Sequence, residues 1–291
     1  MSILVTGKNG QIAKDIRDYF GDKFANKEIF YLGHDDLDLT DDLEVNNFFK
    51  NNKIDYVLHT AIKGGRRTRK DTCEDFYYNI IMFNNIFSHI KKVKLFINFD
   101  SMASFDRELP IDNIKEEELY HRYPKDFYGL SKNLISRIGA CENFINLRIF
   151  SCFSKNEPND RMIKGSILKC LKNDDIIIYQ NRKMDFTYSD DVMKVVELLL
   201  LNNKNIEKFK YRDYNLCYTE KFTLLDIAEY ISDISNHKGG IVVQDQNVGL
   251  PRTGDNGRLA ELGIEFKGLK RSIDELFNKL RNSDESDLFN Y

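Results

Sequence analysis

Tyr128 and Lys132 carry the most specific chemistry in the 291-residue sequence. Four residues apart on a helix, they stand on one face. A tyrosine hydroxyl is a poor acid or base near neutrality, because its ordinary pKa is about 10. A nearby lysine ammonium stabilises the phenolate and lowers that pKa. Such a pair can exchange a proton with a hydroxyl or carbonyl of a substrate. Alone, a Tyr-x-x-x-Lys pair is usually surface decoration. Its weight comes from Ser101, which follows the apolar run Lys94 to Phe99, and from a glycine turn at the N-terminus.

That turn lies in Ser2 to Ala13. Ile3 to Val5 is long enough for a buried parallel strand. Gly7 and Gly10 follow, and from Gln11 to Phe20 the apolar spacing turns helical. Gly7 permits a tight turn, Gly10 lets the backbone approach a pyrophosphate, and Ala13 is small enough for helix and strand to pack closely. The helix N-terminus then offers its free N–H groups to the anion. Lys8, Asn9, Gly10, Gln11 and Ile12 are therefore candidate cofactor contacts with Gly7.

The order and spacing of this turn, Ser101, Tyr128 and Lys132 resemble the extended short-chain dehydrogenases/reductases that modify nucleotide sugars. The resemblance spans residues 1 to about 200 well and the remainder loosely. It implies an α/β fold: a Rossmann-like, doubly wound parallel sheet with a smaller C-terminal substrate-binding lobe. The expected division is 1–151, with 183–203 returning to it, against a lobe of 152–182 and 204–291. Ser101 would hold the substrate oxygen, Tyr128 would exchange the proton, and Lys132 would also meet the nicotinamide ribose. Asp38 and Leu39 resemble the adenine-contacting pair, and Thr60 and Ala61 the small residues beside the cofactor. Asn79 matches an asparagine near the nicotinamide. Met102, Arg161 and Arg252 are expected at the substrate. Arg252 belongs to Gly249–Arg252, which with Asp255–Arg258 falls where the family often binds phosphates. Arg66, Arg67, Arg69 and Lys70, after the Gly64–Gly65 pair, form a basic run that either receives phosphates or is a solvated face. A homodimer through a helix bundle is also implied.

Departures narrow the activity. Sugar-nucleotide dehydratases carry an Asp-Glu pair just after the serine; here those positions are Met102 and Ala103, and neither transfers a proton. Early loops resemble GDP-fucose synthases, but the cysteine those use for epimerisation is replaced by Ala103, and no histidine stands near the second position. Phe96 to Ser101 resembles 4-keto reductases of the CDP-abequose synthase type. The expected activity is NAD(P)H-dependent reduction of a 4-keto group on a nucleotide-activated deoxysugar. Glu157 and Lys164 are spare candidates for other chemistry. The alternatives are a nucleotide-sugar 4-epimerase and a non-catalytic cofactor-binding protein. The acid that would repel a 2′-phosphate is displaced from the end of the second strand, Leu32-Gly33-His34-Asp35-Asp36. Lys8 and His34 are placed to face that phosphate, so NADPH is expected to serve at least as well as NADH.

Composition agrees. With 31% charged residues and a net charge of −3, nothing attracts nucleic acid or a membrane surface. No apolar run reaches membrane-spanning length. Five scattered cysteines show neither disulfide nor zinc spacing, and no metal site is expected. The first strand begins at once, leaving no room for a signal peptide. A cytoplasmic enzyme is the expectation. His59 is expected to be a core histidine.

Overall fold

The structure, a computed structural model, describes residues 1–66, 69–139, 141, 143–202 and 209–283. Arg67 and the polar tail beyond 283 lie outside the described residues. The chain opens with β1 (Ser2–Thr6), α1 (Gln11–Phe20), β2 (Glu28–Leu32), α2 (Asp42–Asn51), β3 (Tyr56–His59), α3 (Cys73–Phe87) and β4 (Leu95–Ser101). It continues through β5 (Ile111–Ile114), α4 (Phe127–Ile138), β6 (Phe144–Ile149), β7 (Cys152–Phe153), α5 (Met162–Lys172) and β8 (Ile176–Gln180). Next come β9 (Thr187–Tyr188), α6 (Ser189–Leu201), β10 (Asp213–Leu216), α7 (Leu224–Ser235) and β11 (Ile241–Asp245). β12 (Arg252–Gly254), α8 (Gly257–Ala260) and α9 (Leu269–Arg281) complete it.

Six strands form one parallel sheet in the order β10-β6-β4-β3-β1-β2. Because strand side chains alternate between faces, Ile3 and Val5 pack with Ile16 and Phe20 of α1 and Val192 to Leu200 of α6. Leu4 points the other way, into a second core with Val45 and Phe49 of α2 and Phe83 and Ile86 of α3. The sheet is thus covered on both faces, as a parallel sheet must be. Strand order reverses at β1, which opens a crevice between the C-terminal ends of β1 and β3.

Helix starts follow their capping residues. Asp41 accepts the N–H groups of Leu43 and Glu44. Thr72 with Asp75, and Thr223 with Asp226, form reciprocal capping boxes. Asp126 accepts the Gly129 N–H at 2.7 Å and starts α4 at Phe127, which fixes Tyr128 in the first turn.

A smaller lobe gathers α5, α7, α9 and the parallel pair β8–β11 around Ile167, Ile176, Ile227 and Leu276. The expected boundary needs one correction. Residues 204–291 do not all belong to this lobe, since β10 is the edge strand of the main sheet, parallel to β6. The chain therefore returns twice. Strand β10 escaped notice because Asp213-Tyr214-Asn215-Leu216 alternates polar and apolar residues, yet it is held by Arg148 and Glu116 from elsewhere. α3 ends at Phe87 and is followed by a short turn of tighter helix, Ile90–Lys92.

Candidate active site

The C-terminal ends of β1, β3 and β4 bring three segments together. At the first, Gly7 has φ +72°, and a Cβ there would lie 2.9 Å from Ala61 Cα and 3.0 Å from its nitrogen. Only glycine fits this left-handed, crowded position. Thr6 Oγ1 accepts the N–H groups of Thr60 and Ala61, each at 3.1 Å, so the two strand ends are stitched together. Gly10 precedes α1 with no side-chain cap, and no acidic residue stands in the first turn. Amides there remain directed at the crevice, and this cradle fits a pyrophosphate. The candidate residues around it separate. Gln11 donates to the Cys152 carbonyl at 3.1 Å, tying α1 to the smaller lobe, and Ile12 packs on the core. Asn9 is exposed.

At the adenosine end, Leu39 is buried in the core beneath α2 and α3. Asp38 accepts the Thr40 N–H at 2.8 Å and its hydroxyl at 2.7 Å. Lys8 lies across Gly33 and pairs with Asp36 at 2.5 Å. His34 is exposed, 3.4 Å from Asp38. Both side chains expected at a 2′-phosphate thus already face carboxylates.

Strand β4 delivers Ser101, whose hydroxyl accepts the Ala103 N–H at 3.2 Å and hydrogen-bonds with Tyr128. Gly129 packs so tightly on the Ala103 carbonyl and Pro124 that α4 cannot drift from this strand end. Desolvation pushes the Tyr128 phenol up to about 12, against the Ser101 hydrogen bond. Burial pulls the Lys132 ammonium down to about 8, with Asp100 opposing. Lys132 Nζ donates to the Phe99 carbonyl at 2.6 Å. The expectation that Lys132 lowers the Tyr128 pKa is not met in this geometry. The ammonium turns toward the strand end, and desolvation of the phenol dominates. Tyr128 is a protonated acid across the ordinary pH range.

Asn79 is fully engaged. It accepts the Lys63 N–H at 2.7 Å and donates to the Lys63 carbonyl at 3.0 Å and to Ser131 Oγ at 3.1 Å. It braces the loop after β3. His59 is a core histidine as expected, held neutral, its pKa pulled down to about 3 by burial. Beneath Ser101 a buried polar network stiffens the floor: Arg148 donates to Asp100 at 2.8 Å and to Asp213 at 3.1 Å.

Beyond Met102 opens a cavity of about 860 Å³ between this edge and the smaller lobe. Arg161 and Arg252 line it, as expected. So do Arg107, Arg182, Lys169 and Lys172, which the sequence reading passed over, against two acids, Asp160 and Asp174. Arg107 pairs with Asp126 at 2.9 Å. Arg252 is braced by the carbonyls of Leu109 and Pro251 at 2.9 and 3.1 Å and by that of Arg107. Burial, with the charges of Arg182 and Arg107, pulls its pKa down. A bound anion would relieve that crowding. Met184 also stands in the cavity wall.

Other expected contacts are not brought together. Arg258 pairs with Glu117 at 2.7 Å and Glu116 at 3.5 Å beside β10. Arg69 is bound to Asp75. Glu157 and Lys164 are buried beside each other, outside the cavity wall, with Lys164 Nζ donating to the carbonyls of Lys155 and Glu157. Neither reaches the site. Among the described residues no helix is long and apolar enough to cross a membrane.

The fold is a known one. In fold the chain is similar to a GDP-mannoheptose C4 reductase from Campylobacter jejuni with NADP bound (TM-score 0.82, 20% identity, 97% of this chain and 98% of that one). It is similar also to a GDP-L-fucose synthetase from Naegleria fowleri (0.80, 21%, 97% and 93%). A UDP-glucose 4-epimerase from Thermotoga maritima gives 0.80 at 18% identity, over 97% and 99%. No curated protein matches the sequence. The profile of the NAD dependent epimerase/dehydratase family matches residues 3–217. That match takes in the glycine turn, Ser101, Tyr128 and Lys132 alike and runs over well more than half of the sequence, so the chain belongs to the NAD dependent epimerase/dehydratase family and is an oxidoreductase-type enzyme using NAD or NADP.

Proposed function

We propose that the enzyme reduces a 4-keto group on a nucleotide-activated sugar. One observation carries this reading. Tyr128 is a protonated acid hydrogen-bonded to Ser101, and the two residues that follow, Met102 and Ala103, transfer no proton. Reduction of a ketone needs one acid at the carbonyl oxygen, whereas elimination, or epimerisation at a carbon beside the ketone, needs more. The reduced nicotinamide, when bound, supplies the hydride. Ser101 holds the carbonyl oxygen, and Tyr128 gives its proton to the alkoxide as it forms. Lys132, one turn along the same helix and tied to the Phe99 carbonyl at 2.6 Å, holds the nicotinamide ribose. Arg252, Arg182 and Arg161 bind the diphosphate.

The test is purified protein with NADPH or NADH and a panel of 4-keto sugar nucleotides in D₂O, followed by cofactor oxidation and product NMR. The expected outcome is net cofactor oxidation with no deuterium above background at C3 or C5. Interconversion of 4-epimers without net cofactor consumption would replace this reading with a 4-epimerase. NADPH is expected to serve at least as well as NADH; a strong NADH preference would make Asp35, Asp36 or Asp38 a ribose ligand. The reading carries with it a cytoplasmic homodimer. Exposed Tyr77 of α3 and Phe127 and Ile138 of α4 supply the apolar bundle face, and light scattering in solution tests it.

A further inference from the structure

We propose that Asp71 is a positioning residue for Tyr128, acting through the Gly64–Gly65 backbone that it holds close against the tyrosine ring. Both glycines are left-handed, with φ +86° and +68°. A Cβ on Gly65 would lie 2.8 Å from both Cε2 and Cζ of Tyr128 and 3.1 Å from Cδ2. The peptide therefore covers the hydroxyl-bearing half of the ring, and only glycine permits that approach. A Cβ on Gly64 would lie 2.5 Å from Asp71 Oδ1. That same oxygen accepts the Gly65 N–H at 2.7 Å. The loop is anchored on either side of this tie. Asn79 brackets Lys63, and Arg69 makes a two-pronged pair with Asp75, both bonds 2.7 Å. Of the three anchors, the one made by Asp71 bears on the ring.

Tyr128 needs such a brace. It is the second residue of α4, where no preceding helical turn packs against its side chain. A general acid must sit within hydrogen-bond reach of its target, and a misplacement of about 1 Å costs up to about 10²-fold in rate. The charged groups acting on the phenol are Asp71, Asp100 at the end of β4, and Arg107. Asp71 and Asp100 favour the protonated phenol and Arg107 opposes them. Two substitutions separate the roles of Asp71. Asp71→Asn keeps an oxygen for the Gly65 N–H and removes the charge; Asp71→Ala removes both.

The test uses protein labelled with ¹³C-tyrosine. Tyr128 ring signals are assigned, among 15 tyrosines, by their loss in Tyr128→Phe. Asp71→Ala is expected to average or broaden those signals and to lower kcat about tenfold or more, while the Kd for NADPH stays within about twofold of wild type. Asp71→Asn is expected to restore the ring signals and most of kcat. This rescue by the conservative variant, with NADPH affinity held, is the readout that a merely structural contact would not give. Gly65→Ala should reproduce the Asp71→Ala signals if it folds; Asp71→Ala decides the matter if it does not. Unchanged Tyr128 signals and unchanged kcat in Asp71→Ala would overturn the proposal. So would parallel losses of kcat and NADPH affinity that Asp71→Asn fails to rescue. The turnover arm rests on Tyr128 being the acid in ketone reduction. The ring signals do not, so failure of the functional reading and failure of this one are distinguishable.

Discussion

The two walls of the crevice are made of different materials. On the sheet side, the groups proposed to bind ligand are backbone: the turn at Gly7, the uncapped amides of α1, and the strand ends stitched by Thr6. Across the cavity, they are long cationic side chains: Arg161 at the start of α5, Arg182 after β8 and Arg252 in β12. A backbone wall tolerates almost no change in residue type, because φ and Cβ clearance are absolute constraints. A wall of charge tolerates relocation, because a guanidinium reaches the same anion from several positions along the chain.

The sharpest way to break this division is at the point where the walls meet. Tyr128→Phe should lower kcat by about 10²-fold or more, with NADPH affinity unchanged, because the lost hydroxyl serves the substrate alone. Near-normal turnover would remove Tyr128 as the acid. On the backbone wall, Gly7→Ala should weaken NADPH binding by about tenfold or more, the equivalent of about 1.4 kcal/mol. Its Cβ meets the Ala61 backbone as well as the strain of φ +72°. Gly263→Ala isolates the strain, since Gly263 has φ +66° and nothing within 4 Å of its Cβ position. Equal effects of the two on NADPH affinity would deny the wall its special role.

On the charged wall, Arg252→Met should raise the KM for sugar nucleotide about tenfold, since charge-assisted bonds contribute about 1.5–3 kcal/mol. NADPH affinity should hold. A reversed pattern, cofactor lost and substrate kept, would show that the walls have been assigned the wrong way round.

The smallest effect concerns the seam between them. Burial lifts Asp15 of α1 to about 7 and Glu157, before α5, to about 8. Folded pKa values above the unfolded ones mean that stability is complete below the ordinary carboxylate range. It is lost as pH rises through about 7 to 8. Tm should therefore fall between pH 5 and pH 8. Asp15→Asn, which still accepts the Asn156 amide, and Glu157→Gln should each raise Tm at pH 8 by about 2–4 °C and by less at pH 5. A Tm independent of pH in the wild-type protein would show that both carboxyls stay hydrated at the seam.

Residue type and spacing alone determined the backbone wall. Gly7, Gly10 and Ala13 are demanded by local geometry, so the strand, turn and helix were legible to within a residue: Gln11 to Phe20 is α1 and Glu28 to Leu32 is β2. Ser101, Tyr128 and Lys132 were legible because each belongs to a regular element of strong period, β4 or α4. Tertiary structure alone decided the rest. β10 is polar on one face and owes its place to Arg148 and Glu116, contacts about 65 and about 100 residues away. The charged wall draws on 107, 161, 182 and 252, and no local rule links side chains that far apart. The state of the acid was also decided by folding. Proximity in sequence made Lys132 the partner of Tyr128, but desolvation of the phenol outweighs it. How much water a hydroxyl keeps depends on every element packed around it, and a one-dimensional spacing does not contain that information.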